Sequence, residues 1–180
     1  MKDIWFTADL HLGHKNIIEY CNRPFDGVDS MNTTIINNWN ECVQDDDDVY
    51  VLGDFTLLSH HWAAKYIDEL HGNIHFIPGS HDAWMDKKNM FMSDRVNFLP
   101  PLYSFTWKDA IFVLCHYALR VWDRSHYGAY HLYGHSHGRL LPLGRSMDVG
   151  VDAQKFFPIH IERVVSYLEV IEPHNKKESA

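Results

Sequence analysis

Five short apolar stretches in this 180-residue chain each end in side chains that can bind a cation or move a proton. Ile4 to Ala8 runs into Asp9-Leu10-His11-Leu12-Gly13-His14, and Val49 to Leu52 runs into Gly53-Asp54-Phe55. Asn73 to Ile77 leads to Pro78-Gly79-Ser80-His81-Asp82, Ala110 to Cys115 delivers His116, and Tyr130 to Tyr133 opens into Gly134-His135-Ser136-His137-Gly138. Residues two apart in an extended segment point to the same side. Asp9 with His11, and His135 with His137, can therefore each converge on one ion, and Gly134 and Gly138 let the backbone approach it. Taken singly, D-x-H reads equally well as a turn former with a neighbour, and the paired imidazoles as a histidine-rich surface turn. Taken together, the carboxylates and imidazoles suit Mn, Fe, Zn, Ni or Co, and the lack of cysteine among them argues against a structural zinc knot.

The elements that must carry these ends are readable from periodicity. Met31, Ile35, Trp39 and Cys42 or Val43 predict an amphipathic helix over residues 31 to 43, capped by Asp29 or Ser30. A second helix is expected from Ser59 to Leu70, with Trp62, Tyr66, Ile67 and Leu70 on one face and Gly72 as its stop. Strand and helix alternate as β-α-β-α-β, and each strand closes in a polar turn at the sheet edge where α/β proteins place their sites. Tyr103 to Trp107 and Ala110 to Cys115 predict a hairpin turning at Lys108-Asp109. Asp86 to Pro101 is expected to be an irregular or partly helical cover, and Tyr117 to Gly128 a loop rich in Trp, Arg and His. Ser146 to Val151 predicts a short strand carrying Asp148, with Asp152 just beyond it, and the segment from Phe157 to Val170 a closing helix or strand. The run Asp45 to Asp48 reads as a solvated loop, because the spacing and closing Glu of a calcium loop are missing.

Composition limits the classes of function. Length predicts one domain over residues 1–172, followed by a polar tail at 173–180. The formal charge of −8 argues against an extended nucleic-acid-binding face, which needs clustered Lys and Arg, and leaves room for a local cationic site. Two divalent ions would offset about four of those charges locally. Cys21, Cys42 and Cys115 form no C-x-x-C and read as reduced thiols of a cytoplasmic protein. The apolar run at the N-terminus is too short for a signal peptide, and no stretch is long enough to span a membrane.

In order, D-x-H, G-D, G-S-H-D, H and G-H-x-H resemble the calcineurin-like metallophosphoesterase superfamily from Asp9 to His137, with Gly-His-Lys-Asn-Ile-Ile similar to its small bacterial and phage-type members without a cap. The resemblance implies an α/β (α+β) fold, a four-layer αββα sandwich of two mixed β-sheets flanked by helices. It also implies two divalent cations, manganese first among them. Asp9, His11 and His137 would hold one, His116 and His135 the other, and Asp54 would bridge them, so that a hydroxide held between the ions attacks phosphorus. His81 would protonate the leaving group with Asp82 orienting it.

Ser80 departs from the family's usual Asn, which ligates the second ion. It reads as natural variation with water in the gap, as an introduced change, or as a drifted second site, and in each case it is expected to weaken activity. His14, Arg23 and Arg120 are candidate phosphate contacts, a guanidinium being able to fork onto phosphate oxygens. The resemblance implies a phosphodiesterase acting on nucleotide-type substrates, 2′,3′-cyclic phosphate ends of RNA among them. A phosphomonoesterase and a non-catalytic adaptor that keeps the fold remain open at this point.

Overall fold

The computed structural model describes residues 2–90 and 93–174. Its first sheet is built on three parallel strands, β1 (Ile4–Thr7), β2 (Asp48–Leu52) and β3 (Asn73–Ile77), aligned so that Trp5 pairs with Val49 and Val49 with Ile74. Both faces of these strands are covered, which is why they read as unbroken apolar runs. Val49, Val51, Ile74 and Phe76 pack toward the helices, while Phe6, Tyr50, Leu52 and Ile77 pack toward the second sheet. Two short strands finish the edges. β4 (Val96–Phe98) lies parallel to β3, and β9 (Ile159–His160) lies antiparallel to β1, for the order β4-β3-β2-β1-β9.

The second sheet has the order β5-β6-β7-β8, formed by Leu102–Trp107, Ala110–Cys115, Tyr130–Tyr133 and Ser146–Asp148. Its first pair is the expected antiparallel hairpin, and the rest is parallel. Both sheets are therefore mixed, and helices flank them. Aromatic rings knit the space between them: Phe6 lies 5.9 Å from Phe112 and Tyr50 5.1 Å from Phe105. Full burial of each such side chain contributes roughly 1.5–3 kcal/mol.

Helix α1 (Asn16–Tyr20) is short, and α2 (Val28–Cys42) buries Met31, Ile35, Ile36 and Trp39 against the first sheet. α2 starts earlier than expected, because Gly27 and not Asp29 or Ser30 is its N-cap. Ser30 serves the cap from inside the helix: its hydroxyl accepts the Gly27 N–H at 3.3 Å and donates to the Gly27 carbonyl at 2.8 Å. α3 (His60–Glu69) buries Ala63, Tyr66 and Ile67, with Leu70 beyond its end. Trp62 is 44% exposed and does not belong to that face as expected. α4 (Ile161–Leu168) inserts Ile161, Val164 and Leu168 into the inter-sheet core. Over the outer face of the second sheet, Val113 is covered by Leu119, Trp122 and Ala129 of the 117–128 loop and its neighbour.

Two other expectations need correction. The segment 86–101 is not only a cover. A 3-10 stretch (Ala83–Met90) precedes β4, which the sequence reading missed, and Phe91 and Met92 lie outside the described residues. The aspartate run is not wholly solvated either. Asp47 is buried and accepts the Asp3 N–H (3.0 Å), the Trp5 indole N–H (3.1 Å) and the Gln44 N–H (2.9 Å). The end of the tail, Asn175 to Ala180, lies outside the described residues. Among the described residues no helix is long and apolar enough to cross a membrane.

His131 on β7 has a measurable consequence. It is fully buried, its Nδ1 lies 2.9 Å from the Val113 carbonyl and its Nε2 accepts the Leu119 N–H at 3.0 Å, so the imidazole is neutral with its proton on Nδ1. Burial lowers its pKa from 6.5 to about 4, against the opposing pull of the Val113 carbonyl. The unfolded chain thus takes up this proton at a higher pH than the fold does, and stability present above about pH 6.5 is lost as pH falls toward 4. Between pH 7 and 5, urea unfolding of the wild type should lose about 2 kcal/mol more than that of His131→Gln. Equal losses would show that His131 does not carry this dependence.

Candidate metal centre

The turns that follow β1 and β2 stay paired after the strands end. The Asp9 N–H donates to the Gly53 carbonyl (3.0 Å), His11 N–H to Asp54 (3.0 Å) and Leu12 N–H to Phe55 (2.9 Å). In the second sheet the Gly134 N–H reaches the His116 carbonyl at 3.0 Å. The sheets touch at this edge through a parallel bridge between Ala8 and Gly150, where the Val151 N–H donates to the Ala8 carbonyl at 3.0 Å. Asp9 completes the joint by accepting the His135 N–H on both carboxylate oxygens, at 3.0 and 2.8 Å. That close approach needs glycine: a Cβ on Gly134 or Gly150 would stand 2.8 or 2.6 Å from Asp9 Oδ2.

Two groups of side chains result. Asp9, His11 and His137 present ligand atoms within 4.8 Å of one another, and so do Asp54, His116 and His135. Asp54 Oδ2 lies between the groups, 3.7 Å from His11 Nε2 and 3.4 Å from His116 Nε2. Neither nitrogen of buried His11 has a hydrogen-bond partner, and His116 Nε2 has none either. The His116 Nδ1 faces the Leu52 carbonyl at 2.7 Å, so its proton is there and the Nε2 lone pair is aimed at Asp54. Buried polar atoms left unpaired cost about 1–3 kcal/mol each. Bare imidazole lone pairs beside buried carboxylates fit divalent cations, which supply the missing partner and the missing charge.

The electrostatics agree for Asp9, His11 and Asp54, whereas burial of His116 and His137 is outweighed by Asp54 and by Asp152, which raise those two imidazoles. Burial pushes the Asp9 carboxyl up to about 7, although His137 and His116 pull the other way. Burial likewise lowers His11, opposed by Asp54, so its imidazole is held neutral. Asp54 is itself buried, which raises its pKa, but His116 and the His81 N–H outweigh that and leave it below the usual carboxylate range.

The other expected site residues divide. Ser80 is beside Asp54, its hydroxyl 3.2 Å from Oδ2, and the His81 N–H donates to Asp54 Oδ1 at 2.8 Å. The exposed His81 ring stands 5.7 Å from that of His11. His14 lies on the other flank, its ring 5.5 Å from His11 and its Nδ1 buried and unpaired. Arg120 is exposed on the 117–128 loop.

Asp82 does not orient His81. Its buried carboxylate accepts the Asp54, Phe55 and Gly79 N–H groups at 2.7, 2.9 and 2.9 Å and the Trp84 indole at 2.9 Å, so it fixes the Asp54 turn instead. Arg23 is not a phosphate contact. It is 4% exposed and its guanidinium is occupied by Asp152 and by the Asp9 and Leu10 carbonyls.

Of three further contributors, Asp148 is a residue the sequence offered as a phosphate or supporting contact, while Asp152 and Tyr117 were not anticipated. Asp148 accepts the Gly138 and Gly150 N–H groups at 2.9 and 2.7 Å and thereby holds the histidine turn. Asp152 faces His137 Nδ1 at 2.7 Å, and Tyr117 sets its ring 4.8 Å from that of His135. The pattern Asp148-Val-Gly-Val-Asp152 directly downstream of the histidine turn was the available signal. Cys21, His137 and Asp152 also converge, but the Arg23 guanidinium on Asp152 and Arg139 4.0 Å from the Cys21 sulfur make that corner hostile to a cation.

No family model matches the chain. The uncharacterized protein MJ1445 of Methanocaldococcus jannaschii is 32% identical to it over 182 residues, which span 94% of this chain and 93% of that protein. The Gene 66 protein of Mycobacterium phage L5 is 26% identical over 185 residues, 85% of this chain and 88% of that protein. Among solved structures, the protein of unknown function AQ665 from Aquifex aeolicus has the same fold, with a TM-score of 0.72 at 20% identity over 93% of this chain and all of that one. The phosphoesterase Yfce from E. coli superposes with a TM-score of 0.47 at 15% identity over 82% and 78% of the two chains, too loose a match to carry an argument.

Ser80 gives this geometry a direct test. Its hydroxyl spends its proton on Asp54, whereas an amide carbonyl one atom longer offers a lone pair to a cation at the Asp54, His116 and His135 group. Ser80→Asn should tighten Mn²⁺ binding there by about tenfold, within the range that changes around metal sites produce. An unchanged titration removes position 80 from the ligand set.

Proposed function

From the premise that this chain belongs to the family of the uncharacterized protein MJ1445, we propose that it is a metal-dependent phosphoester hydrolase of the calcineurin-like kind, acting on phosphodiesters at a dinuclear centre. The observation that carries this reading is Asp54 Oδ2, within 3.7 Å of His11 Nε2 and 3.4 Å of His116 Nε2. A carboxylate that belongs to the group with His116 and His135 and also faces His11 of the other group is what a shared ligand of two ions requires. Asp9, His11 and His137 would hold the first ion, and His116, His135 and Ser80 the second. Bound divalent ions, manganese first among the candidates, supply the Lewis acidity that polarises a phosphoryl oxygen and lowers the pKa of water.

The chain's own groups supply the rest. Asp82 fixes the backbone of the Asp54 turn, and the His135 N–H fixes Asp9, so the ligands are held before substrate arrives. His81, exposed beside His11, donates a proton to the departing oxygen. His14, His81 and Tyr117 stand beside the ligand histidines His11 and His135, and Arg120 is the candidate cation for a phosphate oxygen of a diester bound there. Nucleotide-type substrates, including 2′,3′-cyclic phosphates, suit an aromatic such as Tyr117 at the rim.

Protein loaded with Mn²⁺ should hydrolyse bis(p-nitrophenyl) phosphate, lose that activity in chelator, and lose at least about a hundredfold in kcat on Asp54→Asn. Activity indifferent to chelator and to Asp54 sinks the proposal. His81→Ala separates the acid from the ions. It should spare the aryl diester, whose leaving group needs no proton, and slow a 2′,3′-cyclic nucleotide by about a hundredfold or more. Equal losses on both substrates remove His81 from that role.

A further inference from the structure

Among the described residues the sole lysine or arginine buried at this edge is Arg23, and each part of its guanidinium is committed. Nε and Nη2 fork onto Asp152 Oδ1 and Oδ2, each at 2.8 Å. Nη2 also donates to the Asp9 carbonyl at 2.7 Å and Nη1 to the Leu10 carbonyl at 3.0 Å. The Asp152 Oδ2 held in this fork is 2.7 Å from His137 Nδ1. A carboxylate only accepts, so the His137 proton sits on Nδ1, and Nε2 is the nitrogen left for the group with Asp9 and His11.

We propose that Arg23 is a positioning residue for one of the two cation groups and not for the other. Through Asp152 it sets the tautomer and ring plane of His137, and through two carbonyls it holds the turn that carries Asp9 and His11. This rests on the reading of the edge as a cation centre. All three ligands of that group have positive φ, Asp9 at 57°, His11 at 52° and His137 at 49°, a backbone region that side chains other than glycine occupy at a cost. Hydrogen bonds to the Asp9 and Leu10 carbonyls oppose that cost, and the Asp152 bond does so for His137. Neither Arg23 nor Asp152 hydrogen-bonds Asp54, His116 or His135, so the second group meets them only indirectly, through the contact between Asp9 and the His135 N–H. Lysine keeps the charge, but its three donors radiate from one nitrogen, so it cannot fork onto Asp152 and reach the Asp9 and Leu10 carbonyls together as Arg23 does.

The test is Mn²⁺ titration calorimetry on full-length wild type, Arg23→Lys and Asp152→Asn, each with its unfolding midpoint recorded. In both variants one Mn²⁺ site should weaken by roughly 10–100-fold while the other stays within about threefold of wild type. No change at either site, or equal weakening of both in folded protein, overturns the proposal, because a merely structural role does not discriminate between them. If the variants fail to fold, ¹⁵N NMR of the histidine rings in metal-free wild type at about pH 8 decides, with the His137 signal assigned by its loss in His137→Gln. A proton on Nδ1 supports the Arg23 and Asp152 arrangement, and a proton on Nε2 overturns it. Wild type that binds no Mn²⁺ sinks the hydrolase reading, and the His137 tautomer compared between wild type and Arg23→Lys still tells whether Arg23 sets that ring.

Discussion

Two sheets meet at one edge because the Asp9 carboxylate, on the first, is caught by a peptide N–H on the second. Asp9 has no exposure to solvent, and a carboxylate in that position must find donors or lose its charge. The His135 N–H answers it with contacts to both oxygens, next to the Ala8 and Gly150 bridge. Gly134 and Gly150 leave the room that this approach needs. Move that joint and the histidines of the second sheet no longer face those of the first.

The same device recurs around the edge. Asp82 gathers the N–H groups of the Asp54 turn, Asp148 those of the histidine turn, and Asp152 the imidazole of His137. Each acid stands behind a ligand and holds its backbone or its ring. Asp47 does similar work on the first sheet, away from the candidate site, where it ties Asp3, Trp5 and Gln44 together. Among the described residues, Asp9, Asp47, Asp54, Asp82 and Asp148 are thus structural acids, buried and turned inward on peptide N–H groups.

What was legible in the sequence was local. Strand ends were readable because a buried parallel strand is an apolar run and its polar successor marks the edge, as at Val49 to Asp54. α2 was readable because Met31, Ile35 and Trp39 repeat at helical spacing. β4 was not, since three residues carry too little pattern, and Trp62 misled because an aromatic at the right spacing still ended on the solvent side. The partners of charged groups were the least legible. Arg23 and Asp152 are 129 positions apart, and nothing near either one announces the other. Arg23 therefore reads as free to bind phosphate until its burial is known. Asp82 misled for the same reason, its neighbour in sequence being His81 while two of its four partners, Phe55 and Asp54, are 27 and 28 positions away.

Asp9, His11, Asp54, His135 and His137 all have φ between 49° and 64°. Each such residue holds roughly 1 kcal/mol or more of conformational energy that glycine would release. The edge is consequently where heat resistance is easiest to gain by replacement and where the gain is least useful. A library of this protein selected for thermal survival alone should keep Asp9, which joins the sheets, yet drift toward glycine or asparagine at the histidine positions and lose those ligands as it hardens.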